Sequence, residues 1–279
     1  MATNQPTSKV ISDLRRATAD PFRAPLLIPA WWRGASTFLT LLFFFLRDFV
    51  RSPWVWFNVA GVVLAHLFFF ANAPSRGSFF SVAYTTTLLL SALTTAGIFS
   101  RANHPHTYPI LARRISKTTF VAAGMFASWI IGILTYVLAA LLTALRYKVL
   151  ASEGGPEWLT PGTLALGSIT IAVAALFAVA LMTLLSNFVA SFAVRMITLA
   201  VMTISVMAFD PRSFPVENLR PVMASIPPLF APVIGAIQYA ATPEPDTVAR
   251  ASLLTVAAFA TTIIGIIWWL SARGEVAVE

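Results

Sequence analysis

His66 and Asn58 are polar side chains inside a stretch, residues 52–75, that carries no Asp, Glu, Lys or Arg. They lie eight residues apart, about two turns of a helix. An imidazole and an amide on one helix face could line a polar path; they could equally be polar groups hydrogen-bonded between helices. The second reading is preferred, because a single histidine has no relay partner there. Thr86 and Thr94, with Thr85, Thr87 and Thr95 beside them, make the next apolar stretch polar for a lipid-facing helix. That suits a helix lining a cavity, although threonine also satisfies its own backbone. Asn58, His66, Thr86 and Thr94 are therefore the candidate path-lining residues. His104 and His106 flank Pro105 without a carboxylate or third histidine nearby, so no metal site is expected. The chain has no cysteine, which excludes thiolate metal sites and disulfides. It also lacks the H-E-x-x-H, G-x-S-x-G and P-loop signatures. No catalytic residue and no cofactor is expected, and the chain does not read as an enzyme.

The elements that position these residues are legible in the charge pattern. Only 11% of the 279 residues are charged and 58% are hydrophobic, against about 25% charged in a typical globular chain. Uncharged windows cover 52–75, 77–100, 118–145, 158–194, 196–209 and 251–272. A bilayer core needs about 20 apolar residues of helix. The expectation is an all-α polytopic membrane protein with six spans, at about 54–70, 79–99, 119–145, 162–186, 188–209 and 251–270. The fifth needs Arg195 near the surface, where a long side chain can snorkel. No cleaved leader is expected, so the first span would serve as its own signal.

Residues 1–35 are mixed and polar, with a short helix expected around Ser8–Ala17. The stretch 36–51, apolar for about ten residues and then ending in Arg47, Asp48 and Arg51, reads as an interfacial helix. The alternative, a span over residues 25–46, would bury Arg33 at a cost of about 2.5–3.5 kcal/mol. The six-span domain would then occupy 52–279. Gly124, Ser128 and Gly132 recur every four residues, a small-residue stripe that packs helices closely, within one subunit or between two. Residues 146–161 read as a polar loop, and 187–195 as a short return turn. Residues 210–249 hold eight prolines, yet Val222–Ala240 is otherwise apolar. Apolar but broken suggests short re-entrant helices, tolerated where protein buries the backbone.

The net charge of +8 follows from basic residues beside spans rather than from nucleic-acid binding, since no basic patch with interleaved aromatics stands outside the spans. With both termini, the loop 100–118 and the 187–195 turn on one side, thirteen of the nineteen Lys and Arg fall there and six on the other. The positive-inside rule makes that side cytoplasmic.

No span carries an acidic or basic group except Arg195 near one end, which argues against an ion-driven mechanism. If the chain transports, energy must come from a partner gripping a cytoplasmic feature. The segment Ser100–Phe120, SRANHPHTYPILARRISKTTF, is the suitable feature.

Here the layout resembles the permease subunits of ATP-binding-cassette exporters of the second type. In that family a coupling helix joins spans two and three, with a charged start, Gly-Thr-Leu, a leucine-rich turn and Arg-Pro-Val-Ser-Arg. Arg101 falls at the charged start and Thr107 at the threonine. Ile110 and Leu111 fall in the apolar turn, and Arg113, Ile115, Ser116 and Lys117 in the last part. Ser100 stands where an acidic residue is common, His106 replaces the glycine and Arg114 the proline, and Gly124-Met125 replaces a common Gly-Lys. The resemblance implies an ATPase-coupling surface of His104, His106, Thr107, Tyr108, Ile110, Leu111, Arg113, Arg114 and Lys117. Tyr108, Ile110 and Leu111 would fill the ATPase cleft, while Arg113, Arg114 and Lys117 would meet acidic rims or anionic lipid heads. It further implies a separate P-loop ATPase subunit and a second permease subunit, self or similar. The setting would be the lipid of a bacterial inner (cytoplasmic) membrane, with both termini cytoplasmic. The rival readings are a non-transporting membrane anchor or scaffold of a larger complex, and an intramembrane enzyme, which the missing catalytic groups disfavour.

Overall fold

The computed structural model describes residues 30–70, 75–102, 115–150, 156–189, 194, 197–198, 200–201 and 231–276. These are helical or short connections, with no strand among the described residues. The chain divides into two compact units, Met1–Thr37 and Phe38–Glu279. Of the first, only the opening residues of a helix are described, and the helix expected near Ser8–Ala17 lies outside the described residues.

Among the described residues the α-helices are, in order, α1 Ala30–Arg51, α2 Pro53–Phe69, α3 Arg76–Ala102, α4 Lys117–Ala144, α5 Pro161–Leu184, α6 Ala231–Ala241 and α7 Thr247–Val276. Among the described residues, four segments are long and apolar enough to cross a membrane: Arg76–Ser100, Lys117–Tyr147, Pro161–Phe188 and Thr247–Arg273. They correspond to the second, third, fourth and sixth expected spans. A fifth arises if α1 and α2, bent by 68° at their junction, act as one broken span. Of the span expected at 188–209, only residues 188–189, 194, 197–198 and 200–201 are described, all helical. These helices are consistent with an integral membrane protein.

The α1–α2 bend has a local cause. Ser52 is extended, its hydroxyl accepts from the Trp54 N–H and donates to the Phe49 carbonyl at 2.8 Å, and Pro53 follows at the first helical position. One serine therefore closes one helix and opens the next, and proline restricts the residue before it to extended backbone. The helix expected at 36–51 begins earlier, at Ala30. Its inner face, Leu41, Leu42, Phe45 and Phe49, packs on Phe99 of α3 and on Phe120, Val121 and Ala127 of α4.

Helix ends depart from expectation in three places. α4 does not stop at 145 but continues into a π-helical turn, Leu145–Leu150, and α5 continues through a second, Leu185–Val189. The polar loop and the return turn therefore begin later than charge alone suggests. The last helix begins at Thr247, four residues early, because the Asp246 carboxylate accepts from the Ala249 N–H at 2.7 Å and caps it.

α3, α4 and α5 pack against one another, and α2 lies on α3 and α4. The small-residue stripe lies inside this subunit. Ser128 is fully buried and bonds the Gly124 carbonyl. A Cβ at Gly132 would sit 3.3 Å from both the Ser91 and Ala175 Cβ atoms, and one at Gly124 would sit 3.0 Å from the Phe99 ring.

α6 lies in the proline-rich segment, and its 11 residues are too few to cross a membrane. Pro232 occupies its first turn, where no intrahelical donor is lost. Its buried face, Val233, Ala236, Ile237 and Ala240, packs among α3, α5 and α7. Tyr84 donates to the Val233 carbonyl, and Arg76 Nε donates to the Ala240 carbonyl at 2.8 Å. The second bond satisfies an acceptor that a helix C-terminus leaves open.

Candidate functional site

The four candidate path residues fall into two pairs along the antiparallel α2–α3 contact. Asn58, eight residues before His66, meets Thr94, eight residues after Thr86. Asn58 Nδ2 donates to Thr94 Oγ1 and to the Trp54 carbonyl, each at 3.0 Å. A third helix contributes Thr135, whose hydroxyl lies 3.5 Å from Asn58 Oδ1 and bonds the Ile131 carbonyl at 2.9 Å. All three side chains are buried. This is a polar clasp between α2, α3 and α4, in which the amide spends its donors inside the protein. Thr135 is the participant that sequence reasoning missed. Its only sequence signal is a hydroxyl within the apolar run 118–145.

His66 and Thr86 do not bond; they line one small cavity with Val62, Phe70, Ala83 and Ala139. Its volume is about 10 Å³, at the lower limit for a single water. The His66 ring stands edge-on to Phe70, and its Nδ1 is buried without a hydrogen-bond partner among the described residues. Asn58 and His66 are thus on one helix but in separate settings, and no direct bond joins them.

Around Phe70 the structure is tied by tyrosines. Tyr147, in the π-turn after α4, donates to the Phe70 carbonyl at 2.7 Å. Tyr136 donates to the Leu164 carbonyl at 2.9 Å. The π-turn and the aromatic donors together close this end of the bundle.

The coupling residues His104, His106, Thr107, Tyr108, Ile110, Leu111, Arg113 and Arg114 lie outside the described residues. Their flanks are described. α3 delivers the chain to residue 102. Ser116, whose hydroxyl accepts from the Thr119 N–H at 3.1 Å, caps the start of α4. Lys117 is the first residue of α4, exposed, with its ammonium 5.0 Å from the Phe188 ring centre.

No protein-family model, curated protein or solved structure matches the chain. What the fold defines is a class: an all-helical bundle whose helices have the length and apolarity of membrane spans.

Proposed function

We propose that the chain is the membrane permease subunit of an ATP-driven exporter, coupled to a separate P-loop ATPase through the segment 100–118. What carries the reading is the setting of that segment. It joins α3 and α4, two long helices packed along each other, and Ser116 caps the point where the chain re-enters a helix. A push on the segment would reach both helices together. In this reading the 188–209 stretch supplies the sixth span, α1 lies at the cytoplasmic interface, and α6 is the re-entrant helix on the opposite side. Both termini are then cytoplasmic, in a bacterial inner membrane.

The packing of the candidate path residues bears on where the path would run. Asn58 and Thr94 are engaged with each other, and the His66–Thr86 cavity has about 10 Å³. A path through this one bundle would have to break those contacts. A path between two copies, or between this chain and a similar subunit, would leave them intact.

The test is capture of the ATPase from the native membrane by the tagged full chain. Tyr108→Asp with Ile110→Asp is expected to abolish capture while insertion and stability stay unchanged. Undiminished capture by the double variant would sink the coupling role of this segment. No capture by the unaltered chain would favour the anchor reading, which the compact clasp around Asn58 also accommodates.

A further inference from the structure

The family resemblance would set Lys117 against an acidic rim or anionic lipid heads. In the structure its ammonium lies over the Phe188 ring, 5.0 Å from the centre, within the range at which an aromatic face attracts a cation. Phe188 belongs to the π-turn Leu185–Val189 that continues α5. Lys117 is also the first residue of α4, whose first turn holds no acidic residue. A cation there meets the positive end of the helix dipole, which is unfavourable unless something offsets it. The positive-inside rule accounts for a lysine at this end of the bundle, but not for one that lies over the ring of a neighbouring element.

The same π-turn touches the other helix that the 103–114 segment joins. It packs against α3, which delivers the chain to Ala102. Asn187 Nδ2 donates to the Thr183 carbonyl at 3.0 Å, tying the turn back to the last helical turn of α5. Ile115, two residues before Lys117, packs on the apolar cluster that includes Phe99 of α3 and Phe120 of α4, and Phe188 packs on that same cluster. The helices on either side of the segment therefore both meet the end of α5. Single π-turns are rare and are found often at functional positions.

We propose that Lys117 is a positioning residue on the receiving side of the 100–118 segment, and not a contact of the ATPase. Stacked on Phe188, it makes the start of α4 and the end of α5 move together. A push on the segment then passes through the π-turn into the chain that follows α5, as well as into α3 and α4. This role rests on the coupling reading, since without an ATPase there is no push to pass on.

The test has two parts, both on the full-length chain. In mixed micelles, a double-mutant cycle of Lys117→Gln with Phe188→Leu is expected to show a coupling of about two- to fivefold in the unfolding constant. Additive effects would overturn the latch. With the captured ATPase, Lys117→Gln is expected to bring down as much partner as the unaltered chain. It is expected to lose most of the change in ATP turnover that the membrane chain imposes, with the KM for ATP unmoved. Lys117→Arg and Phe188→Tyr, which keep the cation and the ring, are expected to retain that change. Reduced capture by Lys117→Gln would make Lys117 a gripping residue and overturn the positioning role. Full control of turnover in Lys117→Gln, or an equal loss in Lys117→Arg, would overturn it as well. No capture by the unaltered chain would defeat the coupling reading itself, and the latch's role with it.

Discussion

The Asn58 clasp permits a quantitative test. Asn58 meets Thr94 twice, donating to its hydroxyl at 3.0 Å with its Oδ1 3.4 Å from the same hydroxyl, and has one contact at the distance limit, from Thr135 at 3.5 Å. Hydrogen bonds between membrane helices average about 0.6 kcal/mol and reach about 1.7 kcal/mol. Asn58→Leu keeps most of the volume, so its cost should come from those bonds and from a stranded Thr94 hydroxyl. About 1–2 kcal/mol is expected. A double-mutant cycle separates the partners. Asn58→Leu with Thr94→Val should show a coupling of about 0.6–1.7 kcal/mol. Asn58→Leu with Thr135→Val should fall within the additivity error of about 0.3–0.5 kcal/mol, because Thr135 keeps its own bond to the Ile131 carbonyl. Reversible unfolding by sodium dodecyl sulfate in mixed micelles gives the measurement, with the chain's eight tryptophans as the signal. Equal couplings, or a larger one for Thr135, would refute the geometry on which the clasp rests. A transport defect far larger than the stability loss would instead return Asn58 to the path.

Gly132→Val is expected to cost about 1–3 kcal/mol by overpacking, since even a Cβ there would clash with the Ser91 hydroxyl and sit 3.3 Å from the Ala175 Cβ; Ser91→Ala should recover part of the loss in the same unfolding assay. Ser52→Ala should cost about 1 kcal/mol as a lost cap and broaden the 68° bend, read by spin-label distances between α1 and α2. Arg76→Met should cost about 1.5–3 kcal/mol and raise hydrogen exchange in α6, whose Ala240 carbonyl it bonds. The chain has no cysteine, so single cysteines introduced at Arg51 and Thr160 are expected to label from opposite sides of the membrane; labelling from one side would overturn the proposed topology.

Much of the bundle was legible because charge is the dominant signal in such a chain. Uncharged windows located α3, α4, α5 and α7, and the Pro53 signature located the start of α2. The ends were less legible. A π-helical turn changes backbone pairing without changing composition, so Leu145–Leu150 looked like the start of a loop with Arg146 and Lys148 in it. Short helices were expected in the proline-rich segment, but the bounds of α6 were not readable; Pro232 in its first turn and Pro243 beyond its last residue frame it. The path candidates stand out as polar groups in apolar runs, but their partners were not readable. Asn58 and Thr94 are 36 residues apart, and only the register of α2 against α3 joins them. Thr135 carried no signal that separated it from other hydroxyls in α4.

The π-turn after α4 has a consequence for how this sequence tolerates length changes. Such a turn holds one residue more than the α-helical turn it replaces, a change of phase of about 100° relative to a continuous helix. Tyr147, which donates to the Phe70 carbonyl, lies within that turn. Deleting a single residue between Ala144 and Tyr147 would let the backbone relax into an ordinary helix with all its bonds made. The helix would survive, yet the tyrosine would swing away from Phe70. At this position phase, rather than helical content, is what the chain has fixed.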